Sequence, residues 1–142
     1  MQSFDLIEPS LVMNKRIYVV DDPSSSLFKN AKSVCAAAIS VSLSNDLASV
    51  VLKYFEKPSD KIVVILNVDM FDSSKDAVNL LLVAKALLPD TTFIICSTHF
   101  GRSEVSKKWS QSINLSVRLP CSNASLAIAI ENSLRGKREN YH

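Results

Sequence analysis

The 142-residue sequence predicts an α/β domain built on a five-stranded parallel sheet with five helices on both faces. Three observations carry this expectation. Ile62, Val63, Val64, Ile65 and Leu66 form an apolar run without alternation, the pattern of a strand buried on both faces of a parallel sheet. Short apolar runs of this kind alternate with segments whose apolar residues recur at helical spacing, which implies strand–helix–strand units joined by right-handed crossovers. Polar residues end the runs abruptly, and in open α/β sheets the carboxyl ends of the strands are where ligands and chemistry sit.

Taken in order, residues 1–15 read as an irregular arm, with Pro9 interrupting any helix. Arg16 opens the first strand, Ile17-Tyr18-Val19-Val20, which ends in the carboxylate pair Asp21-Asp22. Pro23 and the three serines after it predict a helix start, Pro in the first turn and Ser or Asp as cap, running to about Val34. A weaker strand is expected over 36–42. Asn45-Asp46 then caps a helix in which Leu47, Val50, Val51 and Tyr54 recur at helical spacing, and residues 57–60 break it. The central strand follows and stops at Asn67. Asp72 or Ser73 caps a third helix that runs to Leu88 and is closed by Pro89. The fourth strand, 92–96, ends in Ser97-Thr98, and a polar helix around 103–111 comes after it. The fifth strand spans 115–119 and Pro120 ends it. Ser122 caps a last helix that turns Leu126, Ile130 and Leu134 toward the sheet, with Arg135, Lys137 and Arg138 at its negative end. One domain over 16–135 is expected, with the arm before it and a basic tail or linker start at 136–142.

Composition removes several function classes. With 47% hydrophobic and 21% charged residues the chain is globular, and its length suffices to bury about 70% of the unfolded surface. A net charge of +2 makes no electrostatic case for nucleic acid or an anionic membrane, and the apolar stretches are too short to span a bilayer. Asp5 and Glu8 stand where a secretory signal carries Lys or Arg. Cys35, Cys96 and Cys121 are odd in number and widely spaced, which suits reduced thiols in a cytoplasm. With only His99 and His142 to add, a zinc site or a Cys/His pair is not expected. Gly101 and Gly136 are the only glycines, too few for a Rossmann or P-loop phosphate cradle.

The strand-ending residues, in this order and spacing, resemble those of receiver domains of two-component response regulators over roughly residues 16–135. Asp21-Asp22, Ser97 and Pro120 match. The resemblance implies a flavodoxin-like sheet of order 2-1-3-4-5, with an acidic pair that binds Mg²⁺, an Asp phosphoacceptor ending the third strand and a Lys before the Pro. Asn67 stands in place of the acceptor, Leu119 in place of the Lys, and Ser116 in place of the aromatic residue on the fifth strand. An amide is a far weaker nucleophile than a carboxylate. One negative ligand fewer also weakens a Mg²⁺ site, because that ion dehydrates reluctantly, so Asp21 and Asp22 are weak Mg²⁺ candidates and no cofactor is expected.

Alternation sends Arg118 away from Leu119. Asp69 is expected out in the loop, about 6–7 Å past the acceptor position, where it and Asp72 solvate or cap. One of Asp21 and Asp22 is expected to cap the first helix and the other to bond Asn67 or water. Residues 97–103 read as a solvated turn, with anion binding as the weaker alternative. In the last helix Ile128 points nearly opposite to Leu126 and Ile130.

These residues together lead to a non-enzymatic pseudo-receiver that acts by protein–protein contact in the cytoplasm, as a homodimer or on an attached transcription-regulator output domain. No direct contact with nucleic acid or membrane is expected. The resemblance implies a contact surface on the fourth helix, fifth strand and fifth helix, with Trp109, Ser116, Val117, Ile128 and Arg135 as interface candidates. The alternatives are phosphorylation at a displaced Asp69 with Mg²⁺, or binding of a nucleotide or cyclic dinucleotide at the strand ends.

Overall fold

The computed structural model describes residues 6–57, 61–71, 74–98 and 115–136. Its strands are β1 (Lys15–Val20), β2 (Ser40–Ser44), β3 (Lys61–Asn67), β4 (Thr92–Ser97) and β5 (Leu115–Arg118). They form one parallel sheet in the order β2-β1-β3-β4-β5. The described α-helices are α1 (Pro9–Val12), α2 (Leu27–Val34), α3 (Leu47–Glu56), α4 (Ser74–Leu87) and α5 (Asn123–Leu134), with a 3₁₀ turn at Val68–Met70. None of them is long and apolar enough to cross a membrane.

Strand β3 lies between β1 and β4, and its position explains its composition. Val63 and Ile65 face a core made with Ile17, Val19, Ile94 and Cys96, which α2 and α5 cover through Leu27, Ala31, Leu126 and Ile130. Ile62, Val64 and Leu66 face a second core with Tyr18, Val20, Phe93 and Ile95, covered by Leu47 and Val50 of α3 and by Ala77, Leu81 and Ala84 of α4. A strand with a helix layer on each side has no polar face to alternate with.

Local chemistry moves three boundaries away from the expected ones. Residues 6–14 are not an irregular arm. Pro9 opens α1, where its missing N–H costs nothing, and Ile7 and Val12 enter the first core. The Glu8 N–H also donates to Glu131 Oε2 on α5 at 3.0 Å. Second, α2 starts at Leu27 rather than at Pro23, because Asp22 draws the N–H and hydroxyl of Ser24 into a turn at 2.9 and 2.7 Å. The Ser25 hydroxyl then accepts from Leu27 N. Third, β2 lies at Ser40–Ser44 instead of 36–42. Residues after α2 fold into a turn in which Ala38 N donates to Cys35 O, and sheet pairing begins only at Ser40, opposite Arg16. Two expected caps hold: Asp46 accepts from Ser49 N at 2.7 Å and Ser122 from Ser125 N at 3.0 Å. The helix expected at 103–111 and the caps Asp72 and Ser73 lie outside the described residues.

Leu81 is fully buried between α4 and the sheet, so Leu81→Ala should cost about 2–5 kcal/mol in denaturant or thermal melts. The thiols should separate by reactivity. Burial pushes Cys35 up to about 12 and Cys96 well above the ordinary thiol value, while Cys121 is half-buried and raised less far. Only the thiolate attacks, so alkylation of the folded protein near pH 8 should label Cys121 first and leave the other two until unfolding.

Candidate functional site at the strand ends

The carboxyl ends of β1, β3 and β4 meet at a polar cluster. Asp21 follows β1 and is 1% exposed, its N–H donating to Ser44 O at 3.1 Å. Its Oδ1 accepts from Asp22 N at 2.7 Å and from Asn67 Nδ2 at 2.9 Å. Its Oδ2 is buried without a hydrogen-bond partner. Asp22 is exposed and turned toward Ser24, whose N–H and then hydroxyl hold its carboxyl below the usual carboxylate range. Neither aspartate caps α2.

Asn67 ends β3 with both halves of its amide engaged. Nδ2 donates to Asp21, and Oδ1 accepts from Asp69 N at 2.9 Å. A carboxylate only accepts and a backbone N–H only donates, so these two partners fix the orientation of the amide. The second bond caps the 3₁₀ turn Val68–Met70.

That turn corrects the expectation for Asp69. A 3₁₀ turn rises about 2 Å per residue where a strand rises about 3.3 Å, so Asp69 stays beside the strand ends instead of moving out into the loop. Its Oδ1 accepts from Ser97 Oγ at 2.5 Å, and its Oδ2 accepts from the N–H and the hydroxyl of Thr98, both at 2.8 Å. Asp69 therefore clips the exit of β3 to the exit of β4. The pairing of Asp69 with Ser97-Thr98 has no local sequence signal apart from Asn67, an amide well suited to cap a turn two residues on.

At the fifth strand Leu119 packs against the first core and its N–H donates to Ser97 O at 2.8 Å. Arg118 is exposed on the other side, as alternation requires. Pro120 follows a cis peptide bond and is exposed. Val117, expected at an interface, is 7% exposed and belongs to the core under α5, so it offers no surface. Ser116 on the opposite face is half-buried, Ile128 is 61% exposed, and the exposed Arg135 pairs with Glu131 at 3.7 Å. Trp109 and residues 99–103 lie outside the described residues.

A divalent cation does not fit this donor set. The buried Asp21 Oδ2 would suit one, but Asn67 aims an N–H at the neighbouring oxygen, and both Asp69 oxygens already accept from Ser97 and Thr98. Among the described residues no group of three metal-ligating side chains forms.

No family model and no curated relative matches the chain. Solved structures do. A two-component response regulator of the LuxR family from Aurantimonas superposes with TM-score 0.67 at 18% identity over 87% of this chain and 86% of its own. The fold is that of a receiver domain. A putative pilus assembly-related protein from Burkholderia pseudomallei gives TM-score 0.67 at 11% identity over 99% of both chains. The pilus assembly protein CpaE from Caulobacter crescentus gives 0.65 at 13% over 84% of this chain and 92% of its own. The receiver fold is thus shared with response regulators and with pilus-assembly proteins, at identities that speak for architecture alone.

Removing the clip should be measurable locally. Asp69→Ala deletes three hydrogen bonds and should cost about 1–2 kcal/mol, the low end for a charged acceptor because Asp69 is exposed. Hydrogen exchange at the Thr98 amide should accelerate while the amides within β3 keep their protection.

Proposed function

We propose that this chain is a pseudo-receiver: a signalling domain that works by protein–protein contact without aspartyl phosphorylation, as a homodimer or on an attached output domain. The observation that carries this reading is Asn67. Where the receiver resemblance calls for a carboxylate nucleophile, an amide donates to Asp21 and accepts from Asp69 N, so its role is to brace the strand ends. Leu119 supports the same reading, because an apolar side chain in the core replaces the cation that would pair with a phosphoryl oxygen.

Asp69 is a poor substitute acceptor, since transfer to it would break its bonds to Ser97 and Thr98. Nor does the described part of the pocket present the cations or glycine loop that a nucleotide phosphate needs. The output is left broad, since the neighbours include response regulators and pilus-assembly proteins alike. Ser116, Ile128 and Arg135 stay proposed contacts, and Trp109 stays one that lies outside the described residues. We place the domain in the cytoplasm with reduced thiols and no metal cofactor, consistent with Cys96 buried in the sheet.

The test is intact mass after acetyl phosphate and Mg²⁺. The native chain should gain no phosphoryl adduct, and an adduct located at Asp69 would overturn the reading. Asn67→Asp should report the electrostatics separately. It replaces a donor 2.9 Å from Asp21 Oδ1 with a like charge, so the variant should melt lower than the native chain in chelator and recover on adding Mg²⁺. The native melt should respond little to Mg²⁺.

A further inference from the structure

The end of the sheet opposite the polar cluster holds a cavity of about 150 Å³, at the amino ends of β1 and β3 and against the carboxyl end of α3. Tyr18, Tyr54 and Ile62 form its apolar back, since all three pack in the second core. Arg16 stands beside Ile62 across the β1–β3 pairing and lines the same cavity. Lys53 and Lys57, four residues apart and so on one side of α3, line it from the helix together with Glu56.

Positive charge gathers here out of proportion to a chain of net charge +2. One residue before Arg16 and Ile62, on the other face of the same strands, Lys15 and Lys61 are partners across β1 and β3. Five cations therefore share this end of the sheet with the carboxylates of Glu56 and, outside the described residues, Asp60. Among the described residues no ion pair joins Lys53 or Lys57 to Glu56. Burial first and the charge of Lys61 second hold the Lys15 ammonium below the usual lysine value, so like charge is felt at this end. The end of a helix accounts for Lys53 and Lys57, which suit its negative pole. It does not account for Lys15, Arg16 and Lys61, which come from two strands.

Size and charge narrow the occupant. Pockets for drug-sized ligands run from about 300 to 1,000 Å³, so this one takes a single charged group and a short stub rather than a nucleotide. The guanidinium of Arg16 offers a planar fork for two oxygens, and the lysines offer point charges for a third. Three cations against one carboxylate on the described wall leave a surplus of two, which matches a phosphate monoester near neutral pH, at about −1.5 to −2. The apolar back keeps water from one side and strengthens each of these contacts.

We propose that this cavity binds the phosphate dianion of a small molecule, either inorganic phosphate or a phosphate monoester. The domain then has a ligand site at the end of the sheet away from Asn67, and that site does not depend on the loss of phosphotransfer. A covalent phosphoryl adduct on the native chain would leave it standing.

Amide NMR titrations of the full chain at constant ionic strength test it, with inorganic phosphate, glycerol 3-phosphate and malonate as probes. The two phosphates should produce saturable shifts at the amides of Arg16, Lys53, Lys57 and Ile62 and leave Asn67 and Thr98 unmoved, and the tighter of the two identifies the source of the phosphate. Arg16→Gln and Lys57→Gln should each raise the dissociation constant at least about tenfold, the scale of a charge-assisted hydrogen bond. Lys53→Gln, at an exposed helix position, should weaken binding in the same direction if Arg16→Gln loses its fold. Lys29→Gln removes the same charge from α2, on the other side of the sheet, and should change nothing. Shifts that never saturate, malonate bound as tightly as phosphate, saturable shifts confined to the strand ends, or equal weakening by Lys29→Gln would overturn the proposal.

Discussion

The amide of Asn67 is the constraint on which the polar end of this sheet depends. One side must donate, because Asp21 offers only lone pairs, and the other must accept, because Asp69 offers an N–H. An aspartate at this position would satisfy one partner and repel the other. The amide thus does structural work that a carboxylate is unable to do here. It neutralises the contact with a buried aspartate and sets the turn that brings Asp69 onto Ser97 and Thr98.

The brace is dear to the fold because it lies where three parallel strands end together. Parallel strands pair side by side, but their ends are joined only by whatever the loops supply. Asp21 joins β1 to β3 through Asn67, Asp69 joins β3 to β4, and Leu119 N joins β4 to β5 through Ser97 O. Four of the five strands are tied at their carboxyl ends by this chain of contacts, and the edge strand β2 is tied through Asp21 N and Ser44 O.

Most of the architecture was legible in the residues. The unalternating run of β3, the strand-ending Asp21-Asp22 and Asn67, and the caps Asp46 and Ser122 all reflect short-range chemistry that a sequence displays directly. Most of what was not legible depended on contacts between distant residues. Asp69 looked like a loop residue because its partners are 28 and 29 positions away and only a 3₁₀ turn brings them within reach. Val117 looked like surface because the receiver resemblance puts a contact face on the fifth strand, whereas here it shares with Leu119 the side that α5 covers. Pro23 looked like a helix start because proline suits a first turn, but Asp22 had already committed Ser24 to a tighter one. The short helix at Pro9 was hidden for the converse reason: four residues form it only because Ile7 and Val12 find the core on either side.

The staple between Glu8 and Glu131 has a mechanical meaning. It joins the start of α1 to α5, so the first and last described helices are held together at one place on the surface. Tension applied across this junction would peel the bond from Glu8 N–H to the Glu131 carboxylate and the Ile7 and Val12 contacts before loading any strand pair. The sheet would then feel force only after its fastening had opened, which makes the α1–α5 junction the weak link and the five strands the part that survives stretching.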